Sequence, residues 1–137
     1  LNKLIGKIVA IEHNQHMSLV DVAVGETMFA ATLLETPDQV GYLQVGRDVM
    51  LLFKETEVSL AKNLQGELSL RNRFSVTVNH IERGDIMSAI DLDFMGQVLT
   101  SVITTRGVNR LQLAVGEQIE ALVKANEIAL MECANAI

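Results

Sequence analysis

Leu43-Gln44-Val45-Gly46 and Leu113-Ala114-Val115-Gly116 stand 70 residues apart in a chain of 137, and the match extends outward from them at the same offset. Ile11-Glu12 falls on Ile81-Glu82, Met17-Ser18 on Met87-Ser88 and Asp21 on Asp91. Leu52 falls on Leu122, Lys54 on Lys124, Glu57 on Glu127 and Leu60 on Leu130. With Asn2 on Asn72 this makes 13 identities among the 67 available pairs, with no gap. Identities in constant order, with apolar matches between them, mark two copies of one unit. The joint falls at Asn63-Leu64-Gln65-Gly66-Glu67, polar and with a glycine, so the expected division is 1–65 and 66–137.

Each copy reads as strands. In the first, Leu4 to Ile11 is a mixed apolar run, Leu19 to Val24 alternates imperfectly with β-branched residues, and Thr27 to Leu34, Val49 to Phe53 and Thr56 to Leu60 follow. The second gives Phe74 to Ile81, Ser88 to Phe94, Val98 to Thr104, Ile119 to Val123 and Glu127 to Met131. Turn residues separate the runs, among them His13-Asn14-Gln15, Gly25-Glu26, Arg83-Gly84-Asp85 and Met95-Gly96-Gln97. One segment per copy departs from the strand pattern, Glu35 to Leu43 and Thr105 to Leu113. In the second of these Val108 and Leu111 fall at helical spacing, and Thr104 or Thr105 is suited to cap the helix. The expected fold is all-β: two tandem small OB-like five-stranded barrels, each with one short helix, since closure removes exposed sheet edges. A unit of about 65 residues buries only about 60% of its surface and is marginal alone. The copies are therefore expected to pack on each other and on another chain, as a homo-oligomer.

Composition removes several classes of function. Eleven Lys and Arg against seventeen Asp and Glu give a net charge of −6, so the chain exerts no long-range pull on nucleic acid or anionic lipid. Four Phe, one Tyr and no Trp leave almost no stacking platform for single strands. The longest uncharged stretch, Phe94 to Thr105, is far short of the roughly 20 residues of a spanning helix. The single Cys133 forms no disulfide within the chain, which fits a reducing, cytoplasmic setting, and no signal peptide is read. His13, His16 and His80 lack a third ligand at a telling spacing, so no metal centre is expected. No residue set pairs a nucleophile with a base, and Asp91 and Asp93 share an outer strand face, so no catalysis and no cofactor are expected.

The positive charge is unevenly dressed. Copy two carries Arg71, Arg73, Arg83, Arg106 and Arg110, whereas copy one has only Arg47. Guanidinium is the cation suited to oxyanions. Ser69-Leu70-Arg71-Asn72 offers a hydroxyl, a guanidinium, an amide and backbone N–H groups just before a strand. Thr104-Thr105 precedes a helical turn, and Lys124-Ala125 ends a strand with a lone ammonium. A buried tetrahedral oxyanion needs many short donors of this kind.

Taken together, Ser69-Leu70-Arg71-Asn72-Arg73-Phe74, Val78 with Ile81-Glu82-Arg83-Gly84, Ile103-Thr104, Leu111 with Leu113 and Gly116, and Ala121-Leu122-Val123-Lys124-Ala125 resemble the molybdate-binding mop domain of the TOBE group. The resemblance covers all of copy two. Copy one is similar to a diverged second example, giving the tandem form found in molbindins, molybdate-responsive regulators and some molybdate transporter ATPases. The resemblance implies small OB-like barrels with molybdate, or tungstate, held between barrels for storage or sensing. Ser69, Leu70, Arg71, Lys124 and Ala125 would form one side of the site; Thr104 and Gly107 would come from a neighbouring barrel. Leu70 stands where the family's opening motif has Ala, and Gly107 where it often has Ser. In copy one Glu55 replaces the Ala after the lysine and Leu34 replaces the Thr. The resemblance also leaves open an alternative role as the dimerisation or regulatory domain of a larger regulator or transporter ATPase.

Overall fold

The structure, a computed structural model, describes residues 1–133. In the first repeat β1 spans Asn2–His13, β2 Ser18–Val24, β3 Thr27–Leu33, β4 Asp48–Phe53 and β5 Ser59–Ala61. In the second, β6 spans Asn72–Arg83, β7 Met87–Phe94, β8 Gln97–Thr104, β9 Gln118–Val123 and β10 Ala129–Glu132, and the helix α1 covers Thr105–Leu111. The strands form because the side chains alternate: Leu4, Gly6 and Ile8 of β1 point inward while Lys3, Ile5 and Lys7 face out, and Phe74, Val76 and Val78 do the same in β6. The last strand of each repeat is shorter than its apolar run suggests, because a 3-10 turn, Glu55–Glu57 or Ala125–Glu127, takes up its first residues.

The recurring Leu-x-Val-Gly has a structural reason. Both β1 and β6 slip register, between Ile8 and Ala10 and between Val78 and His80. The backbone of the residue at the slip then pairs with the turn: Gly46 N–H donates to Ile8 O at 2.8 Å and Gly116 N–H to Val78 O at 2.7 Å. Gly46 and Gly116 adopt φ of 95° and 91°, which an L side chain resists, while Leu43 and Leu113 are buried beneath the turn.

The two sheets trade ends. One has the order β10-β4-β1-β2-β3 and the other β5-β9-β6-β7-β8, so the last strand of each repeat completes the sheet of the other. The two compact units are accordingly 3–53 with Leu1 and the chain from Lys124 onward, and 54–123 with Asn2. The boundary at 65/66 divides the sequence repeats; the units change over at Phe53-Lys54 and Val123-Lys124. In the first unit Leu4, Ile8, Val20, Val22, Phe29, Leu51 and Phe53 fill the interior. In the second Val78, Ile90, Leu92, Leu99 and Val108 do so, with Phe74 and Phe94 edge to face at 4.9 Å between ring centres. The second sheet curls until Ser101 Oγ of β8 donates to Val58 O, just ahead of β5, at 2.7 Å. The Asn2 amide also brackets Thr100 on β8, donating to its O at 2.9 Å and accepting from its N–H at 2.8 Å.

The expectation of one helix per repeat is corrected. Only the second repeat has one; in the first, 35–43 makes two successive turns, one in which Gln39 and Val40 N–H both donate to Thr36 O and one in which Leu43 N–H donates to Val40 O. Pro37 is the cause. It keeps Thr36 out of the helical region, so no helix begins before residue 37, and too few residues remain before the buried Leu43. In the second repeat Thr104 caps directly at the end of β8, which gives α1 two more residues in a segment of equal length.

Candidate functional site

Ser69, Leu70 and Arg71 lie in the connection that leads into β6. Ser69 and Arg71 are exposed and Leu70 is half-buried. The connection is tied down by its neighbours: Arg73 Nη2 donates to Leu64 O at 2.9 Å, and Lys62 Nζ donates to Leu111 O at 2.7 Å, satisfying a carbonyl at the end of α1.

Thr104 ends β8 opposite Met87, and its Oγ1 accepts the Gly107 N–H at 3.0 Å, which settles the choice of cap in favour of Thr104. Thr105 serves the scaffold instead: its hydroxyl donates to Gly84 O at 2.8 Å and lies 2.7 Å from Ser88 Oγ. Gly107 allows the close approach of the cap, since a Cβ there would stand 3.2 Å from Thr104 Oγ1. Thr104 opens on a cleft of about 390 Å³ lined also by Asp85, Ile86 and Arg106. Those three residues are not among the predicted site residues; the signals for Arg106 are its place among the five arginines of the second repeat and its adjacency to Thr104-Thr105.

Lys124 follows β9 in extended conformation with its side chain exposed, and Ala125, half-buried, opens the following 3-10 turn, where Glu127 N–H donates to Lys124 O at 2.9 Å. Both residues belong to the first compact unit, whereas Ser69, Leu70, Arg71, Thr104 and Gly107 belong to the second.

Within that second unit the predicted residues form two separate groups. Asn72, at the start of β6, pairs with Val123, and the other end of β6 runs to the hairpin beside Met87 and Thr104. The two groups therefore attach at opposite ends of the 12-residue β6.

The cations also divide. Arg73 makes a paired contact with Glu120, at 2.7 and 3.0 Å; Arg83 donates to Asn109 Oδ1; and Lys62 sits 2.6 Å from Glu117. The hydrogen bond from Arg73 holds the Glu120 carboxyl below its ordinary range, and that from Lys62 does the same for Glu117. By contrast, the side chains of Arg71, Arg106 and Lys124 have no ion pair or hydrogen bond among the described residues. Guanidinium and ammonium groups without a carboxylate partner are the ones left able to meet an anion. No cluster of three or more His, Cys, Asp or Glu suited to a metal ion occurs among the described residues, and no helix there is long and apolar enough to cross a membrane.

Residues 68–130 match the model of the TOBE domain, a span that takes in all seven predicted site residues. The chain carries a TOBE domain. Around that domain the likeness extends to relatives concerned with molybdenum. The chain is 44% identical over 78 residues to a molybdenum import ATP-binding protein ModC of Brucella abortus, a match covering 56% of this chain and 22% of that protein. It is 32% identical over 127 residues to the molybdenum transport protein ModE of Herbaspirillum seropedicae, covering 90% of this chain and 47% of that one. The chain thus spans about a fifth and about half of these relatives. The TOBE domain and its preceding repeat together resemble the cytoplasmic molybdate-binding protein ModG, solved with molybdate bound: TM-score 0.90, 28% identity and 96% of both chains. That likeness bears out the tandem OB-like fold.

Proposed function

We propose that this chain binds molybdate, without catalysis, at sites shared between barrels. The observation that carries the reading is the likeness to ModG over nearly the whole of both chains, joined to a set of unpaired donors in the TOBE domain. Ser69, Leu70 and Arg71, with Lys124 and Ala125, supply one side of the site; Thr104 and Gly107 supply the other from a different barrel. The physical requirement is that a tetrahedral dianion leaving water needs several N–H and O–H donors and at least one cation around it. The attachment of the Ser69 and Thr104 groups at opposite ends of β6 is consistent with each meeting the anion from a different barrel. The protein therefore acts as a homo-oligomer in the cytoplasm, with tungstate accepted through its equal shape and charge, and without binding nucleic acid. A second reading is favoured by the partial coverage of ModC and ModE: the same module serving as the sensing and dimerisation domain of a larger regulator or transporter ATPase.

Calorimetric titration of the chain with molybdate, tungstate and sulfate at one ionic strength is the test. Saturable binding of the first two with sulfate excluded is expected, alongside an oligomer by sedimentation. Absent heats for all three anions would remove the oxyanion reading and leave the dimerisation role, and equal heats would remove the selectivity for molybdate and tungstate.

A further inference from the structure

The stretch that carries Ser69, Leu70 and Arg71 is fixed at both ends to the same ladder. At one end Asn72 enters β6 and pairs with Val123 of β9. At the other the Leu64 carbonyl accepts Arg73 Nη2 at 2.9 Å. Arg73 is not free to follow a moving loop. Its Nε donates to Glu120 Oε2 at 2.7 Å and its Nη2 to Glu120 Oε1 at 3.0 Å, a planar fork on a carboxylate of the neighbouring strand. Both side chains are only 29% exposed, so the pair is partly withdrawn from solvent screening. A lysine ammonium lacks the fork that grips Glu120 with two N–H groups while a third reaches a carbonyl. The first repeat has Lys3 and Met50 at the two equivalent positions, so it has no residues from which to build this clamp.

We propose that Arg73 is a positioning residue for the oxyanion loop: gripped by Glu120, it holds the Leu64 carbonyl and thereby sets the donors of Ser69, Leu70 and Arg71 before an anion arrives. The proposal rests on the molybdate reading above. Arg73 spends its Nε and Nη2 hydrogens on Glu120 and Leu64, and the effect proposed for it on the anion runs through the loop. A loop already held in its binding conformation loses little freedom on binding, whereas a loose one must be ordered by the ligand and binds more weakly.

The test compares the full chain with its Arg73→Lys and Glu120→Gln variants. In the unliganded protein, amide exchange over 65–71 should quicken in Arg73→Lys while β6 and β9 keep their protection. Molybdate affinity should fall about tenfold, with the loss carried by a less favourable binding entropy. Glu120→Gln, which keeps the shape and one acceptor, should fall between that variant and the unaltered chain on both readouts. A general loss of stability would instead lower the unfolding midpoint without the entropic signature. Faster loop exchange with unchanged affinity would overturn the positioning role, and unchanged exchange in both variants would show that Arg73 does not hold the loop. Failure of the unaltered chain to bind molybdate would overturn the functional reading and the binding half of this one, while the exchange comparison would still decide whether the clamp holds the loop.

Discussion

Asp21 and Asp91 occupy the same place in the two repeats and meet different fates. Across the ladder from Asp91 stands Thr100, whose hydroxyl donates to Asp91 Oδ1 at 3.0 Å. Across from Asp21 stands Ala30, and Asp21 Oδ1 is buried with no hydrogen-bond partner among the described residues. The contrast continues along the chain. Ser101, which closes the second sheet, corresponds to Ala31; Thr104 corresponds to Leu34, an apolar side chain 81% exposed; and the Arg73–Glu120 clamp corresponds to Lys3 and Met50. What recurs between the repeats is the frame: the inward residues, the register slip and the Leu-x-Val-Gly turn. What differs is the polar equipment on it. The second repeat has hydroxyls and guanidiniums where the first has alanine and leucine, which is why an anion site is assigned mainly to the second.

The largest test of this comparison asks whether either repeat stands alone. Since β5 completes the sheet of β9 and β10 that of β4, a fragment 66–137 lacks a partner for both its β9 edge and its last strand. It should give no folded monomer: by circular dichroism and sedimentation it is either unfolded or paired with a second fragment that lends its end. A folded monomeric fragment would break the account of exchanged ends.

That exchange was not legible in the sequence, for a physical reason. Leu60 recurs as Leu130 in the end strands, and Glu57 as Glu127 in the turns before them, so the local pattern does not mark which ladder each end strand joins. The frame was legible because period-two burial writes itself into Phe74-Ser75-Val76-Thr77-Val78, and the repeat carries that reading over to the mixed apolar run that begins at Leu4. The cap at Thr104 was legible as one of two neighbouring threonines. The missing helix of the first repeat was decided by Pro37, whose effect on Thr36 the apolar pattern does not record. The Arg73 clamp depends on pairing between β6 and β9, which no local pattern announces.

The next effect in size concerns the two lysines at the change-over points. Lys124 is followed by Ala125 and Lys54 by Glu55, which sets a carboxylate next to the cation in sequence. Removing the partner of a buried charge costs about 3–5 kcal/mol, a loss of roughly a hundredfold or more in affinity. Lys124→Ala should weaken molybdate binding by about that factor and Lys54→Ala by much less, both titrated at one ionic strength. Equal losses would move the main site away from the second repeat. No loss in either would remove the cation from the oxyanion reading.

The smallest effect returns to the two aspartates and should differ in sign between them. In Asp91→Ala the Thr100 hydroxyl loses its acceptor. Because the Asp91 side chain is 42% exposed, water replaces part of that bond, and the cost belongs at the low end of the usual range, about 0.5–1 kcal/mol. In Asp21→Ala no bond to Oδ1 is lost. A buried acceptor without a partner is removed, and leaving such a group unsatisfied costs about 1–3 kcal/mol in the parent. The substitution should therefore leave the unfolding midpoint unchanged or raise it, whereas Asp91→Ala lowers it. Denaturant midpoints of the two variants beside the parent check this without assuming that both units unfold together. If Asp21→Ala is the more destabilising of the pair, then Asp21 makes a contribution the present contacts do not contain, and the first repeat is not the less equipped of the two at this position.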